Sequence, residues 1–325
     1  MLHVLELIET YAASSASTDP VGNASRAAFK IRKKFRGLRH LDQVAAERLQ
    51  VVEDITNSFK SVDYDRYSLL YGLLRPLYDF FDIDLFTLNY DLIADVTLQA
   101  MAWNCGPPWS TGFVQTPIDL NGAMLFSPTF FAQESPVVTL RLAHLHGSLR
   151  FGYTTRGDSM SSEANVELAE FDDIAHAAAV RQQIGPAAFG FGKSLINASP
   201  LISGLRKSEK LNAVPYGNYF ADLARRVSQS TRLLLIGYGG ADPHINFWLE
   251  QFMQFHTGAA RFAEITISSN YRNTYTYKLA GSGASWNQPR RGLYEDQSQN
   301  SMIITTGFND TLSAAVPAIR TFFIR

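Results

Sequence analysis

The chain has 325 residues, 46% hydrophobic and 18% charged, with a formal net charge of −1. That is enough for one large domain and too apolar for a disordered chain, and its balanced charge gives no basic field for a nucleic-acid partner. The single cysteine, Cys105, excludes an intrachain disulfide framework and a four-cysteine zinc site.

Residues 2–13 read as a short amphipathic helix with no basic stretch ahead of it, so no signal peptide is expected. No apolar run approaches the roughly 18 residues of a membrane span, and a cytoplasmic protein is expected. Asp19-Pro20 and Gly22-Asn23 break the first helix, and helical periodicity returns at 24–35, 40–60 and 64–81. Lys30, Arg32, Lys33, Lys34 and Arg36 make a basic run, read as a solvated face.

The pattern changes after Phe81. Ile83, Leu85 and Phe86 form a short apolar strand that ends in Thr87-Leu88-Asn89-Tyr90-Asp91, and a helix is predicted from Leu92 to Ala102. Residues 103–135, rich in Pro, Gly and Ser, read as a long surface excursion. Val137 to Leu145 is a second strand, closed by His146-Gly147-Ser148. Residues 151–230 read as a helical insertion. Leu233 to Ile236 is a buried strand running into Gly237-Tyr238-Gly239-Gly240, and Asp242-Pro243 starts a helix with a capping residue and a proline at its first position. Phe262 to Ile267 is another strand, 269–299 a polar loop, Ser301 to Thr305 a last strand and Thr311 to Phe323 a last helix. Strand, polar turn and helix in repetition predict an α/β fold: a mostly parallel, Rossmann-like sheet with helices on both faces. The whole chain, 1–325, reads as one domain with an N-terminal helical region at 1–80.

Three polar turns follow apolar strands, where ligands of open parallel sheets bind. In the first, Asn89 and Asp91 could hold ribose hydroxyls or steer a water, or could serve the turn and the next helix as caps. In the second, His144 and His146 share one strand face. His146, beside a glycine that lets substrate approach, could be a general base, and the two histidines together could also bind metal. In the third, a glycine-rich loop opens a helix, where backbone N–H groups and the helix dipole favour phosphate or a ribose hydroxyl.

Together the stretches LFTLNYDLI at 85–93, RLAHLHGSL at 141–149 and LLLIGYGGADPHINFWL at 233–249 resemble the sirtuin-like NAD hydrolases of bacterial anti-phage systems. The resemblance covers most of residues 80–270. It implies that Asn89 and Asp91 position the nicotinamide ribose and that His146 is the catalytic base. Thr87, Gly237, Tyr238, Gly239 and Asp242 would lie against the cofactor, and Asn270 would approach the adenosine ribose. It further implies NAD as substrate, cleaved to nicotinamide and ADP-ribose, with control through a homo-oligomer or a defence-system partner protein. No zinc is expected, because the chain lacks the four cysteines of deacylating sirtuins. The family also opens on a strand and a Gly-Ala-Gly-x-Ser loop, which this sequence does not contain. The expectation is that a short apolar strand and a Gly-x-Gly turn are encoded in frame ahead of Met1. The alternative is a non-catalytic sirtuin-like module that binds a nucleotide or serves in assembly; a metal-dependent hydrolase using His144 and His146 is the third.

Overall fold

A computed structural model describes residues 50, 52–54, 56–57, 67–106, 109–115, 122–128, 140–156, 165–181, 200–202, 211, 214–256, 258–266, 270–280, 284–290, 292–296, 300–305 and 312–324. The helices read at 2–13 and 24–35, the basic run and most of the helix read at 40–60 lie outside them.

The fold is α/β. Helix α1 (Tyr67–Tyr78) leads into strand β1 (Ile83–Thr87), and α2 (Ile93–Cys105) follows the first polar turn. Strands β2 (Trp109–Ser110), β3 (Phe113–Gln115) and β4 (Met124–Phe126) lie within the stretch expected to be a surface excursion. Strand β5 (Leu140–His144) precedes the His-Gly turn. Residues 151–230 do not begin as a helical insertion: β6 (Phe151–Arg156) and β7 (Asn165–Glu170) come first, then a helical stretch at 174–181 and helix α3 (Tyr216–Gln229). Strand β8 (Arg232–Ile236), helix α4 (Pro243–Phe255) and strand β9 (Arg261–Ile265) fall where the apolar runs and the Asp-Pro start placed them. The polar stretch expected to be a loop instead holds α5 (Tyr275–Ala280), β10 (Trp286–Arg290) and β11 (Leu293–Asp296). Strand β12 (Ser301–Ile304) and helix α6 (Leu312–Ile324) close the chain.

Three sheets form among the described residues. A parallel sheet runs β1-β5-β2, a mixed sheet β10-β11-β12-β9-β8, and an antiparallel sheet β3-β4-β7-β6. The expectation of one mostly parallel sheet therefore holds only in part. Parallel pairing is confined to β1-β5-β2 and to β12-β9-β8.

Alternation along the parallel strands explains the layers. Leu233 and Leu235 pack on one side with Tyr219, Ile245 and Phe252, from α3 and α4. Leu234 and Ile236 pack on the other with Leu74, Leu98 and Phe322, from α1, α2 and α6. Both faces of the parallel strands are thus covered by helices, which is why those strands read as continuous apolar runs.

Candidate functional site

The turns after β1, β5 and β8 are tied together by their backbones. Leu145 N–H donates to the Thr87 carbonyl at 3.0 Å, and Leu149 N–H to the Tyr90 carbonyl at 3.1 Å. The segment 200–202 straps them from outside: Ile202 N–H donates to the His146 carbonyl at 2.7 Å, and Tyr90 Oη donates to the Ile202 carbonyl at 3.0 Å. Arg181, fully buried, anchors the far side of the His-Gly turn. Its guanidinium donates to the Leu149 and Phe151 carbonyls at 2.9 and 2.7 Å and pairs with Glu53 at 2.8 Å.

His146 is held against Asp242. Its Nε2 lies 3.1 Å from Asp242 Oδ2, and both side chains are buried. Asp242 also caps α4, Oδ1 accepting from His244 N at 3.2 Å, as the Asp-Pro signal required. One carboxylate thus orients an imidazole and fixes a helix start. The sequence reading placed Asp242 beside a cofactor; its contact with His146 was not legible, because 96 residues separate two positions that only the sheet brings together.

Gly147 is a correction. Its φ is +96°, and a Cβ there would stand 2.0 Å from the Pro200 carbonyl oxygen. The close approach that demands glycine is made by the strap at 200–202, not by a substrate.

Asn89 is exposed at the mouth of a cavity between β1 and β8, and its N–H donates to Thr87 Oγ1 at 3.1 Å. Asp91 lines the same cavity and caps α2 locally, Oδ1 accepting from Ile93 N at 3.0 Å. Thr87, Gly237, Tyr238 and Gly239 line the cavity as well. Gly237 takes φ +65° and Gly240 φ +72°, so the loop bends as only glycine does readily. Tyr238 Oη donates to Asn246 Oδ1 at 2.7 Å, and Asn246 Nδ2 to the Gly240 carbonyl at 2.9 Å. Burial pushes the Tyr238 phenol up to about 12, so it is a neutral hydrogen-bonding group. Asn270 is not among the cavity's residues. It is exposed beyond β9 and caps the short 3-10 turn Tyr271–Asn273, Oδ1 accepting from Arg272 N at 3.0 Å.

His144 is set apart from His146. It is fully buried, with Nε2 3.3 Å from Asp95 Oδ1. Arg150 Nη1 stands 3.5 Å from Asp95 and 3.7 Å from Glu170, and Thr111 Oγ1 donates to Glu170 at 2.7 Å. Burial alone would favour neutral groups. The Asp95 carboxylate outweighs it at His144 and raises the imidazole above its ordinary range, while His144 in turn holds Asp95 below its own. At Glu170 burial wins and the carboxyl is raised. None of Asp95, Arg150 or Glu170 stood out in the sequence. Among the described residues no group of three His, Cys, Asp or Glu side chains could hold a metal ion. No described helix is long and apolar enough to cross a membrane. No protein-family model matches this chain. No curated protein sequence matches it either.

Proposed function

We propose that the chain hydrolyses NAD at the nicotinamide–ribose bond, releasing nicotinamide and ADP-ribose, as a cytoplasmic effector of bacterial anti-phage defence in the manner of the sirtuin-like NAD hydrolases. The observation that carries this reading is the meeting of three turns at one end of the sheets, with the buried His146 imidazole held by Asp242. The finer fold expectation belongs with it: β2-β5-β1 and β8-β9-β12 are the two halves of one Rossmann-like sheet, and the nucleotide lies across the ends of β1 and β8.

The bond to nicotinamide breaks as positive charge grows on the ribose, and water adds to the anomeric carbon while its proton leaves. Exposed Asn89 has a side chain available to position ribose or water, and Asp91 lies beside it. With Nε2–H donated to Asp242, His146 has Nδ1 left to take the proton from water or from a ribose hydroxyl. Tyr238, Gly237 and Gly239 would flank the cofactor's ribose and phosphates. An activity that drains NAD needs restraint, so a homo-oligomer or a defence-system partner protein would control it. Incubating the purified chain with NAD and following nicotinamide by chromatography tests the reading. Release that His146→Ala abolishes supports it, and no release at micromolar enzyme overturns it for this chain.

A specific observation favours the non-catalytic alternative. Asp91 and Asn270 both spend a side-chain oxygen on local caps, and no glycine-rich loop other than that after β8 reaches the cavity among the described residues. Nicotinamide adenine dinucleotide bound without turnover would move the assignment to a nucleotide-binding module.

A further inference from the structure

The cavity that separates β1 from β8 has the shape and surroundings of a missing strand. Its volume is about 1460 Å³, above the roughly 300–1,000 Å³ of a small-molecule cleft. It is bordered by every residue of both strands, from Asp82 to Asn89 and from Thr231 to Gly239. Each strand has a partner on its far side only, β5 for β1 and β9 for β8. The facing edges therefore carry backbone N–H and C=O groups with no strand to receive them among the described residues.

Burial tells the same story. β5 is buried at all five positions and β9 at four of five, whereas every residue of β1 is only half-buried and β8 reads exposed, then half-buried four times. Leu233 to Ile236 is the most continuous apolar strand sequence in the molecule, with helices on both of its faces, yet none of it is buried. Apolar side chains covered above and below lose their burial only when the neighbour to one side is absent.

The two edges have the same polarity. The His146–Asp242 contact joins the C-terminal ends of the two sheets, and Thr87 and Gly237 line one end of the cavity. A strand between them would run parallel to both and span about 17 Å over five residues. Helices wall it above and below, through Leu70 and Leu74 on one side and Leu223 and Ile245 on the other. Such a strand must be apolar at nearly every position and free of proline. A dinucleotide cannot take this place, because its phosphates would be buried against aliphatic side chains.

We propose that this slot seats a parallel β-strand belonging to the same polypeptide, joined ahead of residue 1. A parallel neighbour of β1 needs a crossover of a dozen or more residues, usually helical, and α1 lies against the slot immediately before β1. Residues 1–66 hold no run of five consecutive apolar residues, so the strand is not one of them. The occupied sheet would run β2-β5-β1-strand-β8-β9-β12 without a break.

The test compares three forms of the full chain by amide hydrogen exchange: as it stands, extended at its N-terminus by Val-Ile-Val-Leu-Val and a short Gly-Ser linker, and extended by the same segment with proline at its centre. The strand extension should slow exchange at 83–87 and 232–236 together by at least about tenfold, the scale of a stabilised local opening, and the proline form should lose this. Three results overturn the proposal: unchanged exchange in the extended monomer; β1 and β8 already protected like β5 and β9 in the chain as it stands; or protection that appears only with dimer formation by sedimentation, which assigns the slot to a second copy. The readout does not involve NAD, so its failure leaves the proposed chemistry to its own assay.

Discussion

Gly147→Ala should unfold the turn that carries His146, and its size can be worked from the structure. The residue sits at φ +96°, where a side chain costs about 1–2 kcal/mol. Its new Cβ would lie 2.0 Å from the Pro200 carbonyl oxygen and 3.0 Å from Tyr216 Oη, so the strap at 200–202 must move. Movement breaks the 2.7 Å bond from Ile202 N to the His146 carbonyl and the 3.0 Å bond from Tyr216 Oη to Pro200, each worth roughly 0.5–1.5 kcal/mol and more when a buried partner is orphaned. The sum is about 3–5 kcal/mol, a large share of the roughly 5–15 kcal/mol that holds a domain folded. Gly239→Ala is the matched control: nothing lies within 4 Å of its added Cβ, and it should cost under about 1 kcal/mol. Urea unfolding followed by far-UV circular dichroism measures both. A Gly147→Ala midpoint within 1 kcal/mol of the parent, at unchanged slope, would refute the reading that this glycine accommodates a backbone rather than a substrate.

The two histidines should separate cleanly. His146→Ala should abolish nicotinamide release and leave most stability in place, whereas His144→Ala should cost about 3–5 kcal/mol by leaving the buried Asp95 carboxylate short of a partner; similar stability losses in calorimetry, or similar activity losses at matched folded fraction, would contradict the geometry. Asn89→Ala should lower turnover by roughly 100-fold, the scale of a lost positioning group, with stability within about 0.5 kcal/mol because the exposed residue bonds through its backbone N–H. A full rate would remove Asn89 from the chemistry. Asp84, which lines the slot, has its carboxyl pushed by burial from 3.8 to about 6, against the pull of Arg226. Its folded value lies above its unfolded one, so the native state binds the extra proton and the chain should lose up to roughly 2–3 kcal/mol as pH rises from 4 to 6.5. Asp84→Asn should flatten that part of the stability curve, and parallel curves for the two proteins would exclude the effect.

Much of the site was legible because the signals were local. Leu233–Ile236 is apolar at four successive positions, Asp242-Pro243 carries its own capping chemistry, and each lies where it was read. What was missed depended on partners distant in sequence. Strand β10 contains Asn, Gln and Pro289 and shows no apolar alternation, because it is the outer strand of its sheet and needs only one neighbour. β6 and β7 are recognisable through each other's register, Phe151 opposite Glu170 and Arg156 opposite Asn165, across a span that reads as polar breaks. Asn270 and Asp91 show the limit of residue type as a guide, since an amide or a carboxylate at a turn suits a cap as well as a ribose.

His144 and His146 give that limit its chemical content. They stand two positions apart, at the end of one strand and in the turn that follows, and nothing in their spacing ranks one above the other. The fold separates them by what each Nε2 meets. His144 faces Asp95 inside a network with Arg150, Glu170 and Thr111, where every charge is answered by another buried group and no path leads to the cavity's residues. His146 faces Asp242 at the opening of α4, and the turns bonded to its own reach the cavity on both sides. A base must be oriented by one partner and left open to another, and only His146 is placed so that a ligand lying between Asn89 and Gly239 could supply the second. An Asp242→Asn chain that keeps its fold but loses nicotinamide release would locate that orientation in the carboxylate. An Asp242→Asn chain that releases nicotinamide at the parent rate would leave Asp242 with its helix cap alone.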